Sequence, residues 1–250
     1  MYSKEFKGLL EKSVDDGQYV GLGNPNSKIL FIGKEAGIEN HNKREMESFS
    51  DNAKIWLGNS DLYSKPFCPE RDSSLRNYRH TWQKYQKLHD FIFERESPES
   101  YCINFVENIF TTELSNLPYP NTNGAKQQNK FREELQKRKN GFFENKYFKD
   151  QFSIVVILAL DGHYISNYGE GETREIDNIF EVEFFKQVEC SSSKDKFWLH
   201  HAKDKNKPRL LIHSRQLTNG ASIELLETIA EEIKTFSKKQ SIDLMPFNSY

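Results

Sequence analysis

Two hydrophobic periods run through this chain, one close to 3.6 residues and one of unbroken short runs, and they alternate along its length. Phe6, Leu9 and Leu10 share one face of a predicted amphipathic helix over Tyr2 to Ser13, which Asp15-Asp16-Gly17 ends. Ile29 to Ile32 is wholly apolar between turn residues, the pattern of a strand buried on both faces. Trp82, Tyr85, Leu88, His89 and Ile92 then repeat at helical spacing within Arg79 to Arg95. A second strand is predicted over Cys102 to Thr112, a loop over Ser115 to Gly124, and a helix over Lys126 to Asn140 with Gly141 as its stop. Phe152 to Leu160 has the continuous β-branched content of a central parallel strand, and Arg209 to His213 supplies the last core strand. Ser222 caps a final helix whose Ile223, Leu226, Ile229 or Ala230, and Ile233 line one face.

Between these elements lie two long departures. Ile38 to Asn77 is a variable stretch with scattered aromatics, of a length that usually signals function or local structure. Asp161 to Lys207 reads as an insertion in which Phe180 to Val188 and Lys196 to His200 pair as a hairpin. The alternation of helix and strand predicts an α/β fold: three layers, α/β/α, around a mostly parallel central sheet. It also predicts one domain over residues 1–250, with the hairpin insertion at about 165–207.

Composition narrows the classes. Hydrophobic residues make up 36% and aromatics 13% of the 250 residues, which argues against a disordered chain. The formal net charge of -2 offers no global attraction to nucleic acid, so any such contact needs a local basic face. One segment qualifies: Lys126, Lys130, Arg132, Lys137, Arg138, Lys139, Lys146 and Lys149 stand against Glu133, Glu134 and Glu144. A solvated helix face is the commoner meaning of such a run. The three cysteines, Cys68, Cys102 and Cys190, are odd in number and far apart, which suits free thiols in a reducing cytoplasm. No apolar run approaches the roughly 20 residues of a membrane span, and the charged first ten residues do not read as a signal peptide.

Candidate chemistry gathers around Gly21-Leu22-Gly23-Asn24-Pro25 and the run that follows it, Ile29-Leu30-Phe31-Ile32-Gly33-Lys34-Glu35-Ala36-Gly37. A strand feeding a glycine-bounded turn delivers backbone N–H groups and polar side chains to the edge where open α/β sheets bind ligands. The stretch resembles the start of a uracil-DNA glycosylase-like domain, with its pattern G-x-G-x-P-x-A-x-h-h-h-h-G-E-A-P-G. That superfamily places an acidic residue in the turn, where it positions water or stabilises the oxocarbenium-like sugar. Here Lys34 stands at the acidic position and Glu35 beside it. Lysine offers an amine nucleophile or a phosphate contact; the plain alternative makes both of them polar turn residues.

Three further landmarks extend the resemblance over most of the chain. Phe105-Val106-Glu107-Asn108-Ile109-Phe110 looks like the strand whose asparagine amide reads a pyrimidine edge, which makes Asn108 the implied base reader, with Gly33 and Gly37 bounding the pocket. An amide carries the donor and the acceptors that such an edge requires. Leu210-Leu211-Ile212-His213-Ser214-Arg215-Gln216-Leu217 resembles the H-P-S motif without its proline. By that resemblance His213 stabilises charge on the base, Ser214 and Arg215 contact the nucleic acid, and Leu217 wedges into the minor groove. Phe67, after Pro66, is the implied stacking aromatic, on the pattern of the iron–sulfur branch of the superfamily. Ordinary readings stand beside each: a turn-capping asparagine, a buried strand-end histidine, a core phenylalanine.

Other motifs are absent. Gly33-Lys34-Glu35 lacks the upstream glycine and the Ser/Thr of a P-loop, and no G-x-S-x-G elbow occurs. His163, His200, His201 and Cys190 match no standard metal spacing, and three cysteines cannot hold the four-iron cluster of the iron–sulfur branch. No metal and no cofactor is expected. The resemblance implies hydrolysis of an N-glycosidic bond, with Glu35, Lys34 and His213 as catalytic groups and Lys137 and Arg138 as backbone contacts. The implied partner is DNA, single- or double-stranded. The alternative of a different class is a catalytically silent nucleotide or nucleic-acid binding module.

Overall fold

The structure is a computed structural model that describes residues 2–38, 47, 49–58, 64–66, 79–95, 103–165, 175–218 and 220–245. Among these, the strands are β1 (Leu22–Gly23), β2 (Ile29–Gly33), β3 (Ile109–Glu113), β4 (Ile154–Leu158), β5 (Val182–Glu189), β6 (Lys196–Ala202) and β7 (Leu210–Ser214). They form one mixed seven-stranded sheet in the order β1-β3-β2-β4-β7-β6-β5. The central four, β3, β2, β4 and β7, are parallel, as their apolar runs predict. The hairpin β5–β6 pairs antiparallel and joins the sheet along β7, so it widens the sheet at that edge.

Helices cover both faces: α1 (Lys4–Asp16), α2 (Asn52–Gly58), α3 (Arg79–Ile92), α4 (Thr122–Lys126), α5 (Phe131–Lys137), α6 (Lys146–Asp150), α7 (Glu175–Ile179) and α8 (Ile223–Gln240). Alternate residues of each central strand feed opposite layers, because strand side chains alternate in direction. Leu30, Ile32, Val155 and Ile157 meet Phe6, Leu9, Leu10, Leu135, Phe143 and Phe148 on one face. Phe31, Val156, Leu158 and Ile212 meet Leu88, Ile92, Leu225, Ile229 and Ile233 on the other. Full burial of each such side chain is worth about 1.5–3 kcal/mol, so these layers hold the sheet between them.

Local chemistry sets the joints. Ser3 and Ser222 cap α1 and α8 with their hydroxyls, and Gly17 ends α1 in the left-handed conformation. The paired glycines before β2 serve strand contact. A Cβ on Gly21 or Gly23 would lie 2.2 Å from the Thr111 carbonyl oxygen or 2.1 Å from that of Ile109, so only glycine lets β1 approach β3.

The sequence placed several boundaries differently. The strand expected from Cys102 starts at Ile109, after a 3₁₀ turn over Phe105–Glu107. Within the loop expected over Ser115 to Gly124, α4 begins at Thr122. The helix expected over Lys126 to Asn140 is α5 followed by a π turn over Arg138–Phe142.

That π turn carries a fully buried guanidinium. Arg138 donates from Nε and Nη2 to the Glu113 carbonyl at 3.0 and 2.8 Å, and from Nη1 to the Tyr19 carbonyl at 2.8 Å. It also donates to Gln18 Oε1 and Thr112 Oγ1, and its guanidinium lies 3.9 Å from the centroid of the Phe142 ring. Burial lowers its pKa to about 9, so it remains a cation at neutral pH. Arg138 is therefore no phosphate contact; the low-dielectric interior and five internal acceptor bonds hold it away from solvent. Replacing Arg138 with methionine strands these acceptors. We expect a stability loss of about 3–5 kcal/mol in chemical denaturation, with Lys137→Met within about 0.5 kcal/mol of wild type.

Candidate functional site

Parallel strands align their C-terminal ends, so Gly33, Glu113, Leu158 and Ser214 close one edge of the sheet. The chain leaves β2 toward β3 on one side and returns to β4 on the other. This reversal at β2 makes the crevice between the β2 and β4 loops the expected ligand position in an open α/β sheet. Beside it, over the C-terminal ends of β2 and β3, opens a cleft of about 480 Å³ lined by the Gly33 to Ile38 turn, the segment after β3, α3 and the segment after β7. Its walls are aromatic: Tyr19, Trp82, Tyr85, Phe105 and Tyr119. Its polar groups are Lys34, Glu35, Glu113, Asn121, Thr122, Gln216 and Thr218.

The turn after β2 is held along its backbone. The N–H groups of Leu114, Ser115 and Tyr119 donate to the carbonyls of Gly33, Lys34 and Ala36 at 2.9, 2.8 and 3.0 Å. Its side chains cross to the loop after β4. Lys34 Nζ lies 3.3 Å from Asp161 Oδ2, and Lys126 Nζ lies 2.6 Å from the same oxygen. Burial opposes ionisation of Asp161, but bonds from Lys126 and His163, together with the charge of Lys34, outweigh it and hold the carboxyl well below the usual range. Glu35 accepts from Thr122 Oγ1 at 2.7 Å and from the Tyr164 hydroxyl. Burial pushes the Glu35 carboxyl up from its ordinary value; those two bonds and the charges of Lys34 and Lys126 only partly offset it. Burial and the adjacent Glu35 raise the Tyr164 hydroxyl far above its usual range, so it stays protonated and donates.

Glu113 is the second carboxyl of the cleft. It is the register partner of Gly33 across β2–β3. A Cβ on Gly33 would lie 2.1 Å from Glu113 Oε2, so the glycine makes room for this carboxyl. Oε2 is buried without a hydrogen-bond partner in the protein. Burial first, and the neighbouring Glu35 second, push the Glu113 carboxyl up to about 8 against the pull of Arg138. A buried carboxyl of this kind is neutral at pH 7 and is a hydrogen-bond donor.

The residues expected at the site divide. Gly33, Lys34, Glu35 and Gly37 line the cleft. Asn108 does not: it precedes β3 and so lies at the opposite edge of the sheet. There its amide donates to His89 Nε2 at 3.1 Å, and His89 Nδ1 lies 3.0 Å from Asp90 Oδ1. Strand direction, which a short motif does not carry, removes it from base reading. His213 is fully buried on β7, with Nε2 3.5 Å from the Ala159 carbonyl oxygen. It lies beneath the cleft edge and outside the lining. Ser214 is also fully buried. Arg215 pairs with Asp195 at 2.9 Å, its side chain 41% exposed.

Leu217 is fully buried against the α8 layer. It is therefore a core residue and no minor-groove wedge; Gln216 and Thr218, on either side, reach the cleft instead. Phe67 lies outside the described residues. The basic segment is partly ion-paired: Lys126 pairs with Asp161, Lys139 with Glu175 and Lys149 with Glu181, and Lys146 lies near Glu5 and Asp150. Lys137 stays at the surface, 3.4 Å from the Asp16 carbonyl oxygen. Among the described residues no group of three or more His, Cys, Asp or Glu side chains is placed to hold a metal ion. His200 is instead buried against Asp177 at 2.6 Å, and His201 stacks on Phe185.

Sequence reading missed Glu113, Tyr164 and Thr122. Glu113 had a signal: it is the acidic residue that ends the Ile109-Phe110-Thr111-Thr112 strand, the register partner of Gly33. Tyr164 and Thr122 follow turn segments, and only the tertiary structure brings them to Glu35.

Glu113 links stability to pH. Its value is near 4.5 in the unfolded chain and about 8 in the folded protein. The stability gained by keeping it neutral is complete below pH 4.5 and is lost as pH rises toward 8. At its steepest the slope is about 1.4 kcal/mol per pH unit. Denaturation of wild type and Glu113→Gln across this range should therefore show a falling difference curve, with the glutamine variant gaining relative stability as pH rises.

Comparison with protein-family models, with curated proteins and with solved structures gives no match to this chain.

Proposed function

We propose that the cleft takes a nucleobase and that the protein hydrolyses the N-glycosidic bond that carries it, in the manner of uracil-DNA glycosylase-like enzymes. The observation that carries this reading is the Glu35 carboxylate. It stands in the turn after β2, in an aromatic-walled cleft, oriented by Tyr164 and Thr122. Aromatic faces stack on an unpaired base, at about 1–3 kcal/mol per base. As the glycosidic bond lengthens, positive charge develops on the sugar, and a fixed carboxylate in a dry cleft stabilises it. The same carboxylate, its basicity raised by burial, accepts a proton from the attacking water. Water then adds to the sugar carbon and the base departs with a proton. Extruding the base costs a few kcal/mol, least from a single strand or a damaged pair. This suits a chain half of whose basic segment is ion-paired.

A second reading has its own observation. Both Glu35 oxygens already accept bonds, and Lys34 is paired with Asp161. Polar groups committed inward in this way also describe a binding module that holds a nucleotide or a nucleic-acid end without reacting.

The two readings separate in an excision assay. Single- and double-stranded oligonucleotides carrying uracil, hypoxanthine, xanthine or an alkylated base are incubated with protein, and abasic sites are then cleaved with alkali. The glycosylase reading expects product, with Glu35→Gln lowering the rate by about 10²–10⁴-fold at unchanged fold. No product on any substrate, with the protein folded and a base still bound, selects the binding module.

A further inference from the structure

Glu113 is an oddity for a residue that only builds the sheet. A carboxyl at a strand end normally reaches solvent, because an isolated buried charge is costly. This one turns in against Gly33, where a side chain would exclude it. Arg138, its nearest cation, bonds to the Glu113 backbone carbonyl and gives the carboxyl no hydrogen bond. Oε2 is covered and has no protein partner, while Glu113 itself remains partly exposed and lines the cleft. The part facing the cleft is therefore Oε1 with the adjoining methylenes. A proton on Oε2 would have no acceptor, whereas a proton on Oε1 faces the cleft, where water or a ligand accepts it.

We infer that Glu113 is the ligand-reading residue of the cleft: as a neutral carboxylic acid it donates from Oε1 to a keto oxygen on the edge of the bound base. This rests on the base-binding reading above and names its substrate class, a keto-bearing base. It also gives the cleft the donor that Asn108, at the far edge of the sheet, does not supply. Glu35 and Glu113 thereby divide the work, one an oriented carboxylate at the sugar and the other a neutral acid at the base.

The titratable and charged groups that face Glu113 are Glu35 and Tyr164 from the two loops, Arg138 from the π turn, Tyr85 from α3, and Tyr19 behind Arg138. Burial and Glu113 raise the Tyr85 hydroxyl well above its usual range, and Tyr164 is raised likewise, so neither ionises near pH 8. Arg138, at about 9, stays charged over most of the range. Glu35 is the remaining carboxyl, and Glu35→Gln serves as its control.

The test measures binding of uracil and of hypoxanthine to the full chain between pH 6 and 9 by calorimetry. Wild type, Glu113→Gln, Glu113→Met and Glu35→Gln are compared. Ionisation of the base acts on all four proteins alike, so the ratio to Glu113→Gln is read. Wild-type affinity should hold to about pH 8 and then fall toward tenfold per unit. The glutamine amide still donates and does not titrate, so Glu113→Gln is the reference against which that fall is read. Methionine should lose binding at least tenfold relative to Glu113→Gln at every pH while remaining folded, and Glu35→Gln, which removes a charge that helps raise the Glu113 carboxyl, should begin its fall at a lower pH than wild type. An infrared difference between wild type and Glu113→Gln should show a protonated carboxyl at pH 7 whose stretch shifts when uracil binds. Binding that is independent of pH, or a carboxyl band unmoved by uracil, overturns the role of Glu113 and leaves the base-binding reading standing. Absence of binding by either base at any pH overturns both.

Discussion

The guanidinium of Arg138 fixes the floor of the cleft. A cation buried without water must be surrounded by acceptors, and these acceptors come from separate parts of the chain: the Gln18–Tyr19 segment and the end of β3. Meeting that requirement brings the segment leading into β1, the last residues of β3 and the π turn after α5 to one point. A π turn, with its looser winding, is frequently found at such functional positions. The same charge pulls the Glu113 carboxyl toward ionisation, and burial together with Glu35 overrules it. The balance among one cation and two carboxyls therefore sets the electrostatics of the cleft, and all three groups are held by the sheet edge.

Much of this was legible in the chain. The unbroken apolar runs at Ile29–Ile32 and Phe152–Leu160 identified buried parallel strands because both faces of such strands meet helices. The helical periods of Arg79–Arg95 and of the stretch after Ser222 identified α3 and α8 for the same reason. The position of the turn Gly33 to Gly37 at the C-terminal edge of the sheet, where it lines the cleft, was legible because it follows an apolar strand and is bounded by glycines. The rest failed for identifiable reasons. Asn108 matched a motif locally, yet the chain there is still entering its strand, so the match faces the wrong edge. The resemblance placed Leu217 at the surface and the charge run did the same for Arg138; burial depends on which neighbours pack over them, and no spacing rule supplies that. Gly21 and Gly23 looked like part of a ligand loop, and their positive φ angles instead serve β1–β3 contact.

The crossing between the β2 and β4 loops is the feature that gives these residues a common purpose. Two pairs span it, Lys34 with Asp161 and Glu35 with Tyr164. Lys34, at the first position of the turn, would by itself place a positive charge at the site. Asp161 pairs with Lys34 and with Lys126, and bonds from Lys126 and His163 hold it ionised. The next residue, Glu35, is then free of a direct lysine contact and takes its orientation from two neutral hydroxyl donors. A carboxylate held by hydroxyls keeps more of its basicity than one held by a cation, because neutral donors stabilise the anion less than a full charge does. The pairing of Lys34 with Asp161 thus leaves the cleft with a carboxylate at Glu35 whose proton affinity burial raises.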